Sequence, residues 1–301
     1  MRQVGNLAAI YVLRRKIALA DAKSRENCMN AGGYGVEIPK IGFGTYGRVG
    51  GAGTAAILAA LETGYRHLDT AQTYGSEASV GEAVRRSGLT RDQVFITTKI
   101  SSENLAEGKL IPSLRRSLGE IGVDQVDLCL IHWPAPNGRI PLATYMHQIV
   151  EAQALGLTRL IGVSNFTIAL LKEAEGLIGS GRIATNQIEL NPLFTNHKIA
   201  DFCMDIGILV TCYLPIAHGR VSGHPVLTPI ARHHNATEEQ IAIAYELAKG
   251  YAAIPTSGRP ERIRSNFAAT TLRLSPQEVA MIDGITPGTR SIDPDWGPDW
   301  D

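Results

Sequence analysis

Asp69, Lys99 and His132 each close a short apolar run, one after another along the chain, and Tyr74 follows the first by five residues. The runs are too short for helices and read as strands. Alone, an aspartate after a strand is usually a turn or cap residue and a lysine a solvated one. The four together point to chemistry, and the chemistry that needs a carboxylate, a phenol, an ammonium and an imidazole at one spot is carbonyl reduction. A hydride arriving at a carbonyl carbon builds negative charge on oxygen, which a proton must meet. A phenol of ordinary pKa near ~10 is a weak acid at neutral pH. An ammonium about 4 Å away contributes at most roughly 4 kcal/mol at an effective dielectric of ~20, about three pK units. Lys99 is expected to supply that field to Tyr74, Asp69 to hold Lys99 charged, and His132 Nε2 to donate to the carbonyl oxygen. One His, one Asp, a Lys and a Tyr make no ordinary ligand set, so no metal is expected.

The elements that must position these groups follow a repeat. Gly64-Tyr-Arg-His-Leu-Asp69-Thr-Ala-Gln-Thr-Tyr74-Gly-Ser-Glu77 reads as strand, loop and helix start. Ser76 is the expected N-cap, Glu77 sits in the first turn, and Val80, Ala83 and Val84 follow at helical spacing. Expected strands cover 41–45, 66–69, 94–99, 126–132, 160–164, 184–190, 209–214 and 251–256. Helices are expected over 53–62, 76–86, 109–121, 142–155, 168–178, 198–206, 225–234, 237–249, 260–267 and 275–282. Eight strand–helix units predict a parallel sheet closed into a single-domain (β/α)8 TIM barrel, whose strand ends share one rim.

Composition agrees with one large domain: 301 residues, 44% apolar, 19% charged and 31 glycines for many short loops. A formal charge of zero gives no reason to expect nucleic acid or an anionic membrane face as partner. No apolar run approaches the ~18 residues of a membrane helix. Cys28, Cys129, Cys203 and Cys212 form no C-x-x-C pair and read as reduced, buried thiols of a cytoplasmic protein. Residues 1–34 read as an extension, disordered or a mis-called start, with Met29 a natural beginning and 1–28 dispensable; the barrel is expected over 35–301. Leu7–Leu19 carries Arg14, Arg15 and Lys16 in its middle, which is a poor secretory signal.

A second site is expected at the last strand. Ile254-Pro-Thr256-Ser257-Gly-Arg259-Pro-Glu-Arg262-Ile-Arg264-Ser-Asn266 runs from strand to helix start with three arginines and a serine. Backbone N–H groups, the helix dipole and guanidinium forks make a phosphate trap there. A decoy lies earlier: Gly42-Phe-Gly44-Thr-Tyr-Gly47 matches G-x-G-x-x-G with Asp69 about twenty residues on. Gly50, Gly51 and Gly53 still intervene before the helix, and a Rossmann unit leaves Tyr74, Lys99 and His132 without a joint role.

These residues resemble the aldo-keto reductase superfamily over nearly everything from Pro39 to Asp301. The stretches Asp69-Thr-Ala-Gln-Thr-Tyr74-Gly, Leu130-Ile-His132-Trp-Pro, Gly162-Val-Ser164-Asn165-Phe166 and Asn186-Gln187-Ile-Glu-Leu-Asn-Pro carry the likeness. It implies Asp69, Tyr74, Lys99 and His132 as catalytic tetrad and NADP(H) as cofactor. Ser164, Asn165 and Gln187 would hold the nicotinamide carboxamide, Tyr213 would stack on its ring, and Gly44, Thr45 and Asp69 would line its path. Ser257, Arg262 and Asn266, with Arg259, would take the 2′-phosphate and adenine. Tyr46 and Trp133 look like substrate-pocket aromatics. Within the superfamily, Ile131-His-Trp-Pro-Ala-Pro-Asn137 and the ending Pro298-Asp-Trp-Asp are most similar to bacterial 2,5-diketo-D-gluconate reductases of the B type, which also reduce methylglyoxal. Thr256 stands where many members have a lysine, and Ser265 where many have a glutamate. The short tail after Gly288 suggests an open mouth, with Trp296 and Trp300 as walls.

The expectation is therefore NADPH-dependent reduction of a small aldehyde, dicarbonyl or keto-sugar by a monomer. Two alternatives stand beside it: a low-turnover, cofactor-sensing binding subunit, and a phosphate-handling barrel lyase or isomerase with Lys99 as Schiff-base amine. His233-His234 is expected to serve the helix dipole and His67 to be a satisfied core residue. Ser164 lacks the context of a nucleophile.

Overall fold

The computed structural model describes residues 28–31 and 36–301. Eight parallel strands follow in chain order around the sheet: β3 (Phe43–Gly44), β4 (His67–Asp69), β5 (Phe95–Ile100), β6 (Val126–Ile131), β7 (Thr158–Ser164), β8 (Ile183–Glu189), β9 (Leu209–Tyr213) and β10 (Ala252–Ala253). The ends of the sheet meet. Gly42 donates to Ala253 O at 2.8 Å, Ala253 to Lys40 O at 2.8 Å and Gly44 to Pro255 O at 3.0 Å, closing the (β/α)8 barrel. The two seam strands are shorter than expected because Pro255 has no N–H to extend the ladder.

β5 and β6 are buried along their whole length, as strands covered on both faces must be. Helices form the outer ring; Leu110, Leu114, Leu118 and Ile121 of the helix Leu110–Ile121 are all buried, as their spacing predicts. That helix packs backbone to backbone on its neighbour, where a Cβ at Gly81 would lie 2.0 Å from Ile121 O. The helix Glu77–Ser87 corrects one expectation. Ser76 does begin it, but its hydroxyl makes no cap bond. It bonds Thr45 Oγ1 and Thr70 Oγ1 at 2.8 Å each, tying two rim loops together.

The N-terminal end of the barrel is closed by an antiparallel hairpin, β1 (Cys28–Ala31) with β2 (Val36–Pro39). Ile38 is fully buried in a cluster with Phe95, Leu128, Leu160, Ala184, Leu209 and Ala252, which fills the barrel interior. The strand Cys28–Ala31 falls within the segment expected as an extension; residues 1–27 and 32–34 of that segment lie outside the described residues. The C-terminal end stays open, and Asp69, Lys99, His132, Ser164 and Tyr213 all come to it at or just beyond strand ends.

Candidate active site

Lys99 is the most constrained side chain in the rim. It is 0% exposed, pairs with Asp69 Oδ1, and donates to Thr70 O at 3.0 Å. Its Nζ lies 3.4 Å from the Tyr74 hydroxyl and 4.7 Å from that ring's centre. The Tyr74 ring is set by a 3-10 turn, Gln72–Tyr74, and boxed edge-on by Tyr46 at 5.2 Å and His132 at 5.5 Å. His132 extends the β5–β6 ladder through its N–H to Ile100 O at 3.1 Å, and its Nδ1 faces the Thr73 hydroxyl at 3.4 Å. The four residues singled out by spacing therefore converge on one spot.

Their electrostatics differ in one respect from expectation. Burial raises the Tyr74 phenol above its ordinary value by more than Lys99 lowers it, so the phenol is held protonated. Burial pulls the Lys99 ammonium down, but Asp69 and Tyr74 together more than reverse this, and its pKa is raised. Burial, helped by the Lys99 charge, lowers His132 to about 3, leaving a neutral imidazole.

The next strand ends form a hydrogen-bonded shelf. Gln187 donates to Asp69 Oδ2 at 2.8 Å, fixing the oxygen that Lys99 does not use. Ser164 donates to Gln187 O at 2.8 Å. Asn165 takes a left-handed backbone (φ 62), and its side chain bonds His132 O at 3.1 Å, Ser164 Oγ at 3.0 Å and the Tyr213 hydroxyl at 2.8 Å. Thr45 is fully buried with its hydroxyl on Asp69 O at 2.9 Å. At Gly44 a Cβ would stand 2.8 Å from Ile254 O, so closing the seam itself demands the glycine.

From Leu214 past β10 runs a cavity of about 540 Å³, lined among others by Ser222, Glu239, Thr256, Ser257, Arg262 and Asn266. Arg259 does not line it; its N–H bonds Ser257 Oγ at 3.1 Å at the cavity's edge. The cavity begins one residue past Tyr213 and carries a guanidinium and hydroxyl groups in its wall, while Ser164, Asn165 and Gln187 of the shelf lie outside its lining.

The chain's last residues wall the opposite side of the mouth. Trp133 meets Trp296 at 5.3 Å and Trp300 at 6.1 Å, both edge-on. The Arg290 guanidinium stacks 3.4 Å over Trp300. The tail is anchored by Glu189, fully buried at the end of β8, which accepts from Ser291 N and Ile292 N at 2.9 Å each. Tyr46 is 69% exposed across the opening.

The model of the aldo/keto reductase family matches residues 40–287. The chain belongs to the aldo/keto reductase family. Methylglyoxal reductase DkgB of Yersinia pestis is 43% identical over 267 residues, covering 88% of this chain and 100% of that protein. A structure provisionally named a 2,5-diketo-D-gluconic acid reductase B superposes with a TM-score of 0.86 at 34% identity, covering 91% of this chain and 97% of that one. The Bombyx mori aldo-keto reductase in complex with NADP gives 0.82 at 31% identity, with 88% and 94% covered. This aldo-keto reductase is thus an oxidoreductase acting on carbonyls.

Several of the reductase's supporting contacts are not legible in the sequence. The Gln187–Asp69 bond joins positions 118 apart in sequence, and nothing local announces it. Glu77, expected only as a helix-start charge, is buried and accepts from Thr98 Oγ1 at 2.5 Å; burial raises its pKa. His67 is buried as expected, with its Nε2 on Thr97 Oγ1 at 2.9 Å. His233 and His234 do more than end a helix: both meet Glu278 Oε1 at 2.9 Å. Cys129, Cys203 and Cys212 are free and buried. Among the described residues no helix is long and apolar enough to cross a membrane.

Proposed function

We propose that this reductase uses NADPH to reduce a small aldehyde, an α-dicarbonyl such as methylglyoxal or a keto-sugar acid such as 2,5-diketo-D-gluconate, with Tyr74 as proton donor. The observation that carries it is the Lys99 ammonium at 3.4 Å from the Tyr74 hydroxyl on the open rim. When bound, the reduced nicotinamide supplies the hydride. Asn165, Ser164 and Gln187 hold its carboxamide, and Tyr213, oriented by Asn165, packs on its ring. Tyr74 and His132 both address the substrate carbonyl oxygen. A Thr73 hydroxyl donating to His132 Nδ1 puts the imidazole proton on Nε2, where it hydrogen-bonds and orients that oxygen. As charge grows on the oxygen, Tyr74 gives up its proton, and the Lys99 ammonium stabilises the phenolate left behind. The raised phenol pKa suits this direction: the proton stays on Tyr74 until the oxygen becomes the stronger base.

Ser257, Arg262 and Asn266 select the 2′-phosphorylated cofactor. Tyr46, Trp133 and the tail tryptophans favour compact substrates, and the protein works as a cytoplasmic monomer. The Schiff-base alternative asks Lys99 for a free amine, whereas Asp69 holds it as an ammonium. The test is NADPH oxidation, followed by absorbance, over a panel of aldehydes, dicarbonyls and keto-sugars. Turnover of methylglyoxal is expected; binding of NADPH without turnover of any of them would move the reading to a cofactor-sensing subunit.

A further inference from the structure

The loop after β3 sends one guanidinium across the seam of the barrel. Arg48 is half-buried, and its Nη1 occupies the place a side chain would take at Gly258, 2.4 Å from a Cβ built there. Its loop is held from behind, since a Cβ at Gly53 would lie 2.1 Å from the Arg48 carbonyl carbon. Apart from a 3.4 Å contact of its Nε with Tyr46 O, the guanidinium makes no hydrogen bond among the described residues. Neither it nor Arg259 or Arg262 makes an ion pair there. An arginine kept over Gly258, the residue that follows Ser257, and with no carboxylate partner among the described residues, has its fork free for an anion. A phosphate monoester carries about −1.5 to −2 charge at neutral pH, more than one guanidinium neutralises.

We propose that Arg48 binds the cofactor's 2′-phosphate together with Ser257 and Arg262, and that Gly258 lacks a side chain so that this guanidinium can reach the phosphate from the other side of the seam. The proposal rests on the NADPH reading. It makes Arg48 a specificity residue of the pair of strands that close the ring, outside the segment where the phosphate trap was legible.

Calorimetric titration of the full chain with 2′,5′-ADP and with 5′-AMP isolates the 2′-phosphate. Arg48→Ala is expected to weaken 2′,5′-ADP about tenfold, the scale of one charge-assisted hydrogen bond, and to leave 5′-AMP within about twofold. Gly258→Ala displaces the guanidinium and is expected to cost the same, with the double variant no weaker than either single one. Unchanged 2′,5′-ADP affinity in Arg48→Ala overturns the proposal, as does an equal loss for 5′-AMP or full additivity in the double variant. A wild-type protein that binds both probes equally takes down the NADPH reading itself. Loss in Arg262→Ala but not in Arg48→Ala removes only the role of Arg48.

Discussion

At the ends of β4 and β5 the charges are answered from inside the protein. Asp69 is shared between Lys99 and Gln187, and Lys99 between Asp69, Thr70 and Tyr74. At the seam where β10 meets β3, Arg48, Arg259 and Arg262 have no carboxylate partner among the described residues. The first region's charges are paired within the protein; in the reading proposed above, the second is balanced when the cofactor's phosphate enters. Chemistry on a carbonyl favours groups that do not reorganise as charge develops, and the paired rim suits the catalytic role proposed for it. Selective binding needs the reverse, a charge surplus that a ligand relieves.

The largest effect that would break this contrast is on turnover. Tyr74→Phe is expected to lower kcat by about 10²–10⁴-fold while NADPH binding, read by fluorescence titration, stays near wild type. A variant that keeps most of its activity would mean that the rim has another acid. Next comes stability. Asp69→Ala strands a buried ammonium and should cost about 3–5 kcal/mol in denaturant unfolding, whereas Arg262→Ala should cost less than about 0.5. In binding the order reverses: Arg262→Ala should weaken NADPH roughly tenfold or more and NADH hardly at all. Equal losses for both cofactors would place the phosphate elsewhere. The smallest expected effect is an absence of one. His132, lowered to about 3, is already neutral well below its ordinary value of ~6.5, and Tyr74 is shifted upward. The kcat for reduction should therefore be flat from about pH 5 to about pH 9, and a limb between about pH 6 and 7 would show a charged imidazole.

The barrel was legible because apolar runs and helical spacing alternate without interruption. The helix expected over 168–178 is observed over Ile168–Ile178, and the helix expected over 109–121 is Leu110–Ile121. The meeting of Asp69, Lys99, His132 and Tyr74 was legible because three of them stand at or next to strand ends and Tyr74 follows one by five residues, so local pattern implies global position. What escaped depends on distance in three dimensions. Ser76 caps by position but spends its hydroxyl on Thr45 and Thr70. The phenol's net shift depends on how much water Tyr46, His132 and their neighbours exclude, and residue types do not encode this. The His233–His234–Glu278 contact joins residues about forty-five apart, and the reach of Arg48 depends on a glycine more than two hundred residues away.

Ile38 and the side chains clustered with it fill the barrel interior behind Tyr74, so the phenol faces the open C-terminal rim. In the proposed reaction a carbonyl reaching Tyr74 would meet aromatic rings from opposite ends of the chain, Tyr46 from the first loop of the barrel and Trp296 and Trp300 from the tail.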